Sequence, residues 1–475
     1  MVNRSKTCVI SWRLGTKREF CMQAEFGVVF CGGGPAALGL FVRAAGNGRL
    51  EELLARRVLI VERSQRIGGG SLRHYGISSN SLGGAFLEGL DNTPLGGPLD
   101  PAREGPTIDE LREKRHLHVP LKTVGSYLDS LGVAIRAEVE RHPDCAVACG
   151  TVVSQIKLNG DGALAITIES GGVERIVHAE RAVIAMGGQP SDHLERTKIF
   201  PELVLDPYRD KLRHASVLFD DRTSLPQKLL NRLNVSGRVV VIGGSHSAWS
   251  SAWVLLNDSR FWASSGLPPS VTLLHRDSIR LFYLTQKEAE EDGYSFDPVA
   301  DVCPVSGRVN RVGGLKGDAR DLARRTIHST NEVSPIRLVR LDQETHPRAI
   351  RALLDEVDLV IVATGYRVRL PELIDESGDR IDVQLTPTGL AVTNGMEIIA
   401  KDGRVLSSLI AYGLGVRVPV SKDVGGEPSY HGAITSVWLY QHNVGEIALR
   451  SLLGPDRLSP HRDRVKFPLG VFGGD

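Results

Sequence analysis

Apolar positions along the chain fall into short runs that end in glycine. Phe26-Gly-Val-Val-Phe-Cys31 is an apolar strand; Gly32-Gly-Gly34 follows, then an apolar helical run from Pro35. Val58-Leu-Ile-Val-Glu62 reads as a second buried strand, and it ends in an acid. Residues 120–142 alternate at helical spacing. Residues 147–180 alternate at strand spacing, broken at Asn159-Gly-Asp-Gly162 and Ser170-Gly-Gly172. Ala182-Val-Ile-Ala-Met-Gly-Gly188 is a further buried strand, expected to stand apart from that meander. The strand–glycine–helix unit recurs at Arg238-Val-Val-Val-Ile-Gly-Gly-Ser-His-Ser-Ala248, with Val271-Thr-Leu-Leu-His-Arg276 as partner strand. This alternation predicts an α/β fold with two Rossmann-like, doubly wound nucleotide-binding domains, the second inserted in the first. The expected boundaries are a tail at 1–21, a first domain at 22–215 resuming at 365–475, and the inserted domain at 216–364.

Composition narrows this only a little. The 475 residues suffice for two or three domains. A net charge of +1 offers no general attraction to nucleic acid or to an anionic membrane. No uncharged stretch, neither Phe26 to Val42 nor the serine- and histidine-bearing Val239 to Asn257, supplies the about 20 apolar residues that a spanning helix needs. Arg4, Lys6, Arg13, Lys17 and Arg18 precede the first acid, Glu19, without the apolar core of a secretory signal. The readings are a loose tail, an upstream start with Met22 as the true one, or a mitochondrial-type presequence; a cytoplasmic location is expected. Six cysteines, with Cys145 and Cys149 spaced C-x-x-x-C, match no zinc or thioredoxin spacing and are read as reduced. No metal site is expected.

The glycines carry the candidate chemistry. Gly32, Gly34 and Ala37 fit G-x-G-x-x-A: a tight turn, an open approach for a pyrophosphate, and close helix–strand packing. Glu62 stands where a carboxylate accepts ribose hydroxyls; the bland alternative is a glycine turn without a nucleotide. The second loop, Gly243, Ser245 and Ala248, has serine in place of the middle glycine. Its partner strand ends in Arg276, which suits the 2′-phosphate of NADP. A solvated surface arginine is the alternative, and Arg280 competes for the role.

Further motifs fall in a telling order. Ile67-Gly68-Gly69-Gly70-Ser71 follows the acid, and Asp358-Leu-Val-Ile-Val-Ala-Thr-Gly-Tyr366 follows the second loop. Arg213-His214-Ala-Ser216 precedes that loop, and Tyr430-His431-Gly432 precedes an amphipathic run, Ala433–Leu452, expected as one helix. The series resembles the two-dinucleotide-binding-domain flavoproteins of the class B flavin monooxygenases, nearest the N-hydroxylating lysine and ornithine type. The resemblance implies FAD at Gly32, Gly34, Ala37, Glu62, Arg63 and Gly69, with Gly365, His431 and Gly432 beside it. It implies NADPH at Gly243, Ser245, Ser247 and Arg276. It implies a C4a-hydroperoxyflavin, formed with molecular oxygen and attacked by a small-molecule nucleophile such as a neutral amine. His74, Tyr75, Ser78 and Asn80 lie in the loop expected beside the isoalloxazine, where ordinary loop hydrogen bonding is the alternative.

The chain also departs from the pattern. No redox C-x-x-x-x-C follows the first glycines, no Trp-His follows the first acid, and Tyr412-Gly-Leu-Gly415 replaces the usual Gly-Asp. An oxidase or dehydrogenase without oxygen insertion, and a non-catalytic redox sensor, therefore stay open, as does homo-oligomerisation. His214 and His431 read as structural, and Trp249 and Trp253 as packing. His246 reads as a phosphate or ribose contact, or as simply exposed. Residues 283–332 read as a solvated surface helix with loops, the alternative being an insertion bordering the substrate channel.

Overall fold

The computed structural model describes residues 25–191, 193–200, 203–235, 237–328, 335–342 and 345–455. The expected tail at 1–21 and the alternative start at Met22 lie outside the described residues, as do Cys8 and Cys21.

Two parallel-strand sheets organise the chain. In the first, strands run in the order Glu372–Ile374, Val152–Leu158, Leu164–Ser170, Val173–Ile184, Glu25–Cys31, Val58–Glu62 and Ala146–Cys149. Val173–Ile184 corrects the expected separation of meander and returning strand, because one strand does both jobs. Its first half runs antiparallel to Leu164–Ser170. Its last residues run parallel to Glu25–Cys31 and to Val405–Ala411. Burial explains the split reading: the strand is half-exposed up to Arg181 and fully buried from Ala182.

The second sheet is all parallel, in the order Leu212–His214, Leu359–Val362, Arg238–Ile242, Ser270–His275 and Ile336–Arg340. Strand Leu212–His214 thus joins the second sheet ahead of the boundary expected at 216. Between the sheets the chain crosses twice, and the crossings pair antiparallel as Gly188–Gln189 with Arg367–Val368.

Helix Pro35–Gly46 buries its apolar face on the first sheet and meets the C-terminal helices at Gly39, where an added Cβ would stand 2.6 Å from Tyr440 Cβ. The C-terminal run is not one helix. Val437–Gln441 and Asn443–Leu453 are separated at His442, whose backbone (φ −124°, ψ −107°) is not helical. Helix Leu121–Arg141 packs behind the first loop, and helix Gly317–Ile327 closes the 283–332 segment. Four described cysteines, Cys31, Cys145, Cys149 and Cys303, are free thiols. Burial pushes Cys31 up to about 12.

Candidate cofactor cleft

In the first loop each glycine answers a different need. Gly32 sits at φ +108°, and a Cβ there would stand 2.5 Å from Ala185 O. A Cβ on Gly33 would collide with Ile67. Gly34 faces open space, with nothing within 4 Å of an added Cβ. Gly34 is also the N-cap of helix Pro35–Gly46 and has no side-chain cap. That leaves free first-turn amides at the positive end of the helix dipole. Ala37 is fully buried, which brings helix and strand together. Glu62, 8% exposed, accepts from Gly33 N and Ser64 N at 2.8 Å, one to each carboxylate oxygen. Each oxygen keeps a further lone pair for a hydroxyl. An open glycine, an uncapped helix start and a buried acid together fit the pyrophosphate and ribose of FAD.

Gly69 is glycine because helix Leu121–Arg141 crosses it: a Cβ would stand 2.2 Å from Gly125 O. Its amide donates to Asp129 Oδ1 at 2.9 Å. Arg63 is exposed at the rim.

The second loop repeats the design. Gly243 has φ +143°, with Ala363 O 2.6 Å from an added Cβ. Ser245 is an exposed N-cap without a side-chain cap bond, and Ser247 lies in the first turn. Strand register then corrects the reading of the partner strand. Cys31 pairs with Val61, and Ile242 with Leu274. The place of Glu62 is therefore taken by His275, and Arg276 stands one residue beyond, as Arg63 does. Arg276 is exposed and donates to Lys198 O at 2.9 Å and Ile199 O at 3.2 Å. The Arg280 guanidinium is held by Ser429 Oγ at 2.7 Å and lies 3.8 Å from Asp301.

His246 is neither exposed nor free to meet a phosphate through Nε2, which accepts from Lys316 N at 3.0 Å. Burial first, then the Lys316 charge, hold its pKa down at about 3. Trp249 is fully buried packing, whereas Trp253 is half-buried and lines a cleft.

The predicted flavin-side cluster is divided. His74 lies 3.2 Å from Asp221 and accepts from Arg73 Nε at 2.9 Å. Tyr75 packs on Phe219, and its hydroxyl lies 3.3 Å from that of Tyr366 on the linker. Burial raises both tyrosines above their ordinary value, so both hydroxyls stay protonated. Ser78 turns the other way and donates to Asp318. Asn80 is exposed and joins neither group. His214 is structural: Nδ1 accepts from Ser216 N at 3.1 Å, Nε2 faces Gly365 O at 3.4 Å, and the ring meets Tyr366 edge-on. Gly365 itself sits at φ +95° with open space beside it. His431 and Gly432 lie in an exposed loop ahead of the C-terminal helices.

Sequence reasoning missed the third wall of the site. Lys316 and Asp318, from the segment read as a solvated surface helix, join Ile77, Ser78, His246 and Trp253 around one narrow cleft. The one local signal was Lys316-Gly-Asp318, a glycine with an acid in the first turn of a helix.

Two uncapped glycine loops, one on each sheet, with a two-stranded linker between the sheets, fit a protein that binds two dinucleotides. No protein-family model matches the chain. Over 452 residues it is 38% identical to the CMP-5′-(3-aminopropyl)phosphonate hydroxylase of Streptomyces rubellomurinus, covering 92% of this chain and 100% of that one. The fold is shared with the FAD-bound cadaverine monooxygenase DfoA of Erwinia amylovora (TM-score 0.56, 14% identity, 93% and 97% of the two chains). It is shared too with the reduced form of the ornithine hydroxylase of Pseudomonas aeruginosa (TM-score 0.50, 15% identity, 90% and 99%). The chain belongs to the family of the phosphonate hydroxylase, and its fold is that of an FAD-bound amine monooxygenase. Among the described residues no helix is long and apolar enough to cross a membrane.

Proposed function

We propose that this protein uses FAD, NADPH and oxygen to hydroxylate the nitrogen of a small primary amine. The carrying observation is end-to-end identity with a hydroxylase whose named substrate ends in an aminopropyl group. When bound, the flavin supplies the redox and oxygen-transfer chemistry. The chain's own residues bind, orient and exclude water. The amides after Gly34, together with Glu62, hold FAD, with Arg63 at the rim. The amides at Ser245 to Ser247 take the NADPH pyrophosphate, and Arg276 takes the 2′-phosphate. Tyr75 and Tyr366 join the first domain to the linker, so the two nucleotides are held in register. Ile77 and Trp253 give the cleft apolar walls, which keep water from the reacting centre. A cytoplasmic location, and no nucleic-acid or membrane partner, accord with the near-zero net charge.

The test is a purified, FAD-loaded enzyme offered NADPH, oxygen and a panel of primary amines. The expected outcome is a hydroxylamine product matched by NADPH and oxygen consumption. Peroxide without an oxygenated product would point to an oxidase. A flavin that NADPH does not reduce would point to a redox sensor.

A further inference from the structure

The loop from Arg308 to Lys316 carries three cations near enough to repel one another, Arg308, Arg311 and Lys316, and the last of them lines the cleft. Arg311 is occupied, donating to Val424 O. Arg308 and Lys316 are both half-buried, and neither side chain makes a hydrogen bond or ion pair with any described residue. Lys316 Nζ lies over the Phe282 ring, 5.2 Å from its centre. Of the charged groups acting on Lys316, Glu427 is the one acid. That carboxylate is 3% exposed and accepts from Val312 N at 2.9 Å and Gly313 N at 2.7 Å. The one acid acting on Lys316 thus has oxygens that already serve the backbone, and Arg308 has only the Cys303 sulfur as a group of opposite sign.

Half-buried cations normally find an acceptor, because losing water without one is costly. Here burial, and then the mutual repulsion of the arginines, lower both groups, Lys316 to about 8. The protein leaves the Lys316 charge without an acceptor in the wall of the cleft. Lys316 lines the cleft beside Ser78 and Trp253, and its backbone amide is fixed by His246. The phosphates of NADPH have their own donors in the second loop and Arg276.

We propose that Arg308 and Lys316 bind the phosphonate or phosphate anion in the tail of the amine substrate. The enzyme then selects amines with a phosphoryl-type tail over uncharged ones. This deepens the N-hydroxylation reading and rests on it for the identity of the reacting end.

The experiment uses the FAD-loaded enzyme, without NADPH, titrated calorimetrically with CMP-5′-(3-aminopropyl)phosphonate and with propylamine as the control that lacks an anionic tail. Arg308→Gln and Lys316→Met are each expected to weaken the phosphonate probe about tenfold or more, the loss typical of a charge-assisted hydrogen bond. Arg308→Lys and Lys316→Arg should retain most of that affinity. Propylamine binding, NADPH affinity and flavin content should not change, which also shows that the variants fold. The proposal is overturned if the wild type does not bind the probe, or if the neutral variants bind it unchanged. It is equally overturned if they lose NADPH affinity in place of probe affinity. A wild type that binds the probe tightly but forms no hydroxylamine on adding NADPH and oxygen overturns the N-hydroxylation reading and leaves the anion site standing.

Discussion

Gly32 and Gly34 stand two residues apart in one motif and are glycine for different reasons. Gly32 has a carbonyl 2.5 Å from where its Cβ would be, at a positive φ. Gly32→Ala should therefore lower the melting temperature of the FAD-free protein, by about 1–3 kcal/mol of stability. Gly34 has open space instead, so Gly34→Val should leave that melting temperature in place while the purified protein loses its flavin absorbance. Retained flavin in Gly34→Val would remove the pyrophosphate from this loop. At the other loop, Arg276→Ala should weaken NADPH use about tenfold or more and leave NADH use nearly unchanged, as steady-state kinetics with both cofactors would show. Equal losses would take the 2′-phosphate away from Arg276. The motif made all three residues legible. It could not separate a glycine that packing requires from one with open space beside it, because that difference is the distance to Ala185, a residue far along the chain.

Helix His246–Asn257 begins with a histidine held neutral by the structure. Its folded pKa, about 3, lies below the ordinary value near 6.5. Between these two values the unfolded chain binds a proton that the folded chain refuses. Stability therefore falls as pH drops from about 6.5 toward 3 and is fully present above that window. His246→Gln keeps an acceptor for Lys316 N and removes the titration. Its melting temperature should fall less between pH 7 and pH 5 than the wild type's, a difference on the order of 1 kcal/mol. Parallel curves would show that His246 does not titrate this way. Elements of one period were readable in advance, as helix Leu121–Arg141 shows. Those whose surroundings change midway were not. Strand Val173–Ile184 looked like two strands, and the C-terminal helix pair looked like one helix, because the turn at His442 leaves the apolar spacing intact.

Across the whole molecule, the C-terminal segment near Glu427 clamps the inserted segment against the cleft. Glu427 lies 115 residues from Val312 and 114 from Gly313 and satisfies both amides. Removing it also strips the one acid acting on Lys316. Glu427→Ala should therefore loosen residues 308–316 by about 2–4 kcal/mol of local stability, seen as faster amide hydrogen exchange there, while flavin content holds. Exchange rates equal to the wild type's would mean that the segment is held by its own contacts. The same long-range logic splits the predicted loop cluster, since Ser78 meets Asp318 and Tyr75 meets Tyr366, 240 and 291 residues away. Nothing in local spacing encodes such meetings.

By itself the sequence determined the two nucleotide loops, their order and the α/β class. Those features are written in short-range patterns: the period of a buried strand, the glycines a tight turn demands, the acid or base at a strand end. Only the tertiary structure decided which residue closes each site. Pairing register put His275, not Arg276, opposite the second loop, and packing put Lys316 and His246 together at one edge of the cleft. The physical reason is that burial and charge compensation are properties of neighbours in space. Whether Arg308 is a solvated surface charge or a half-buried cation without an acceptor depends on which chain segments fold around it.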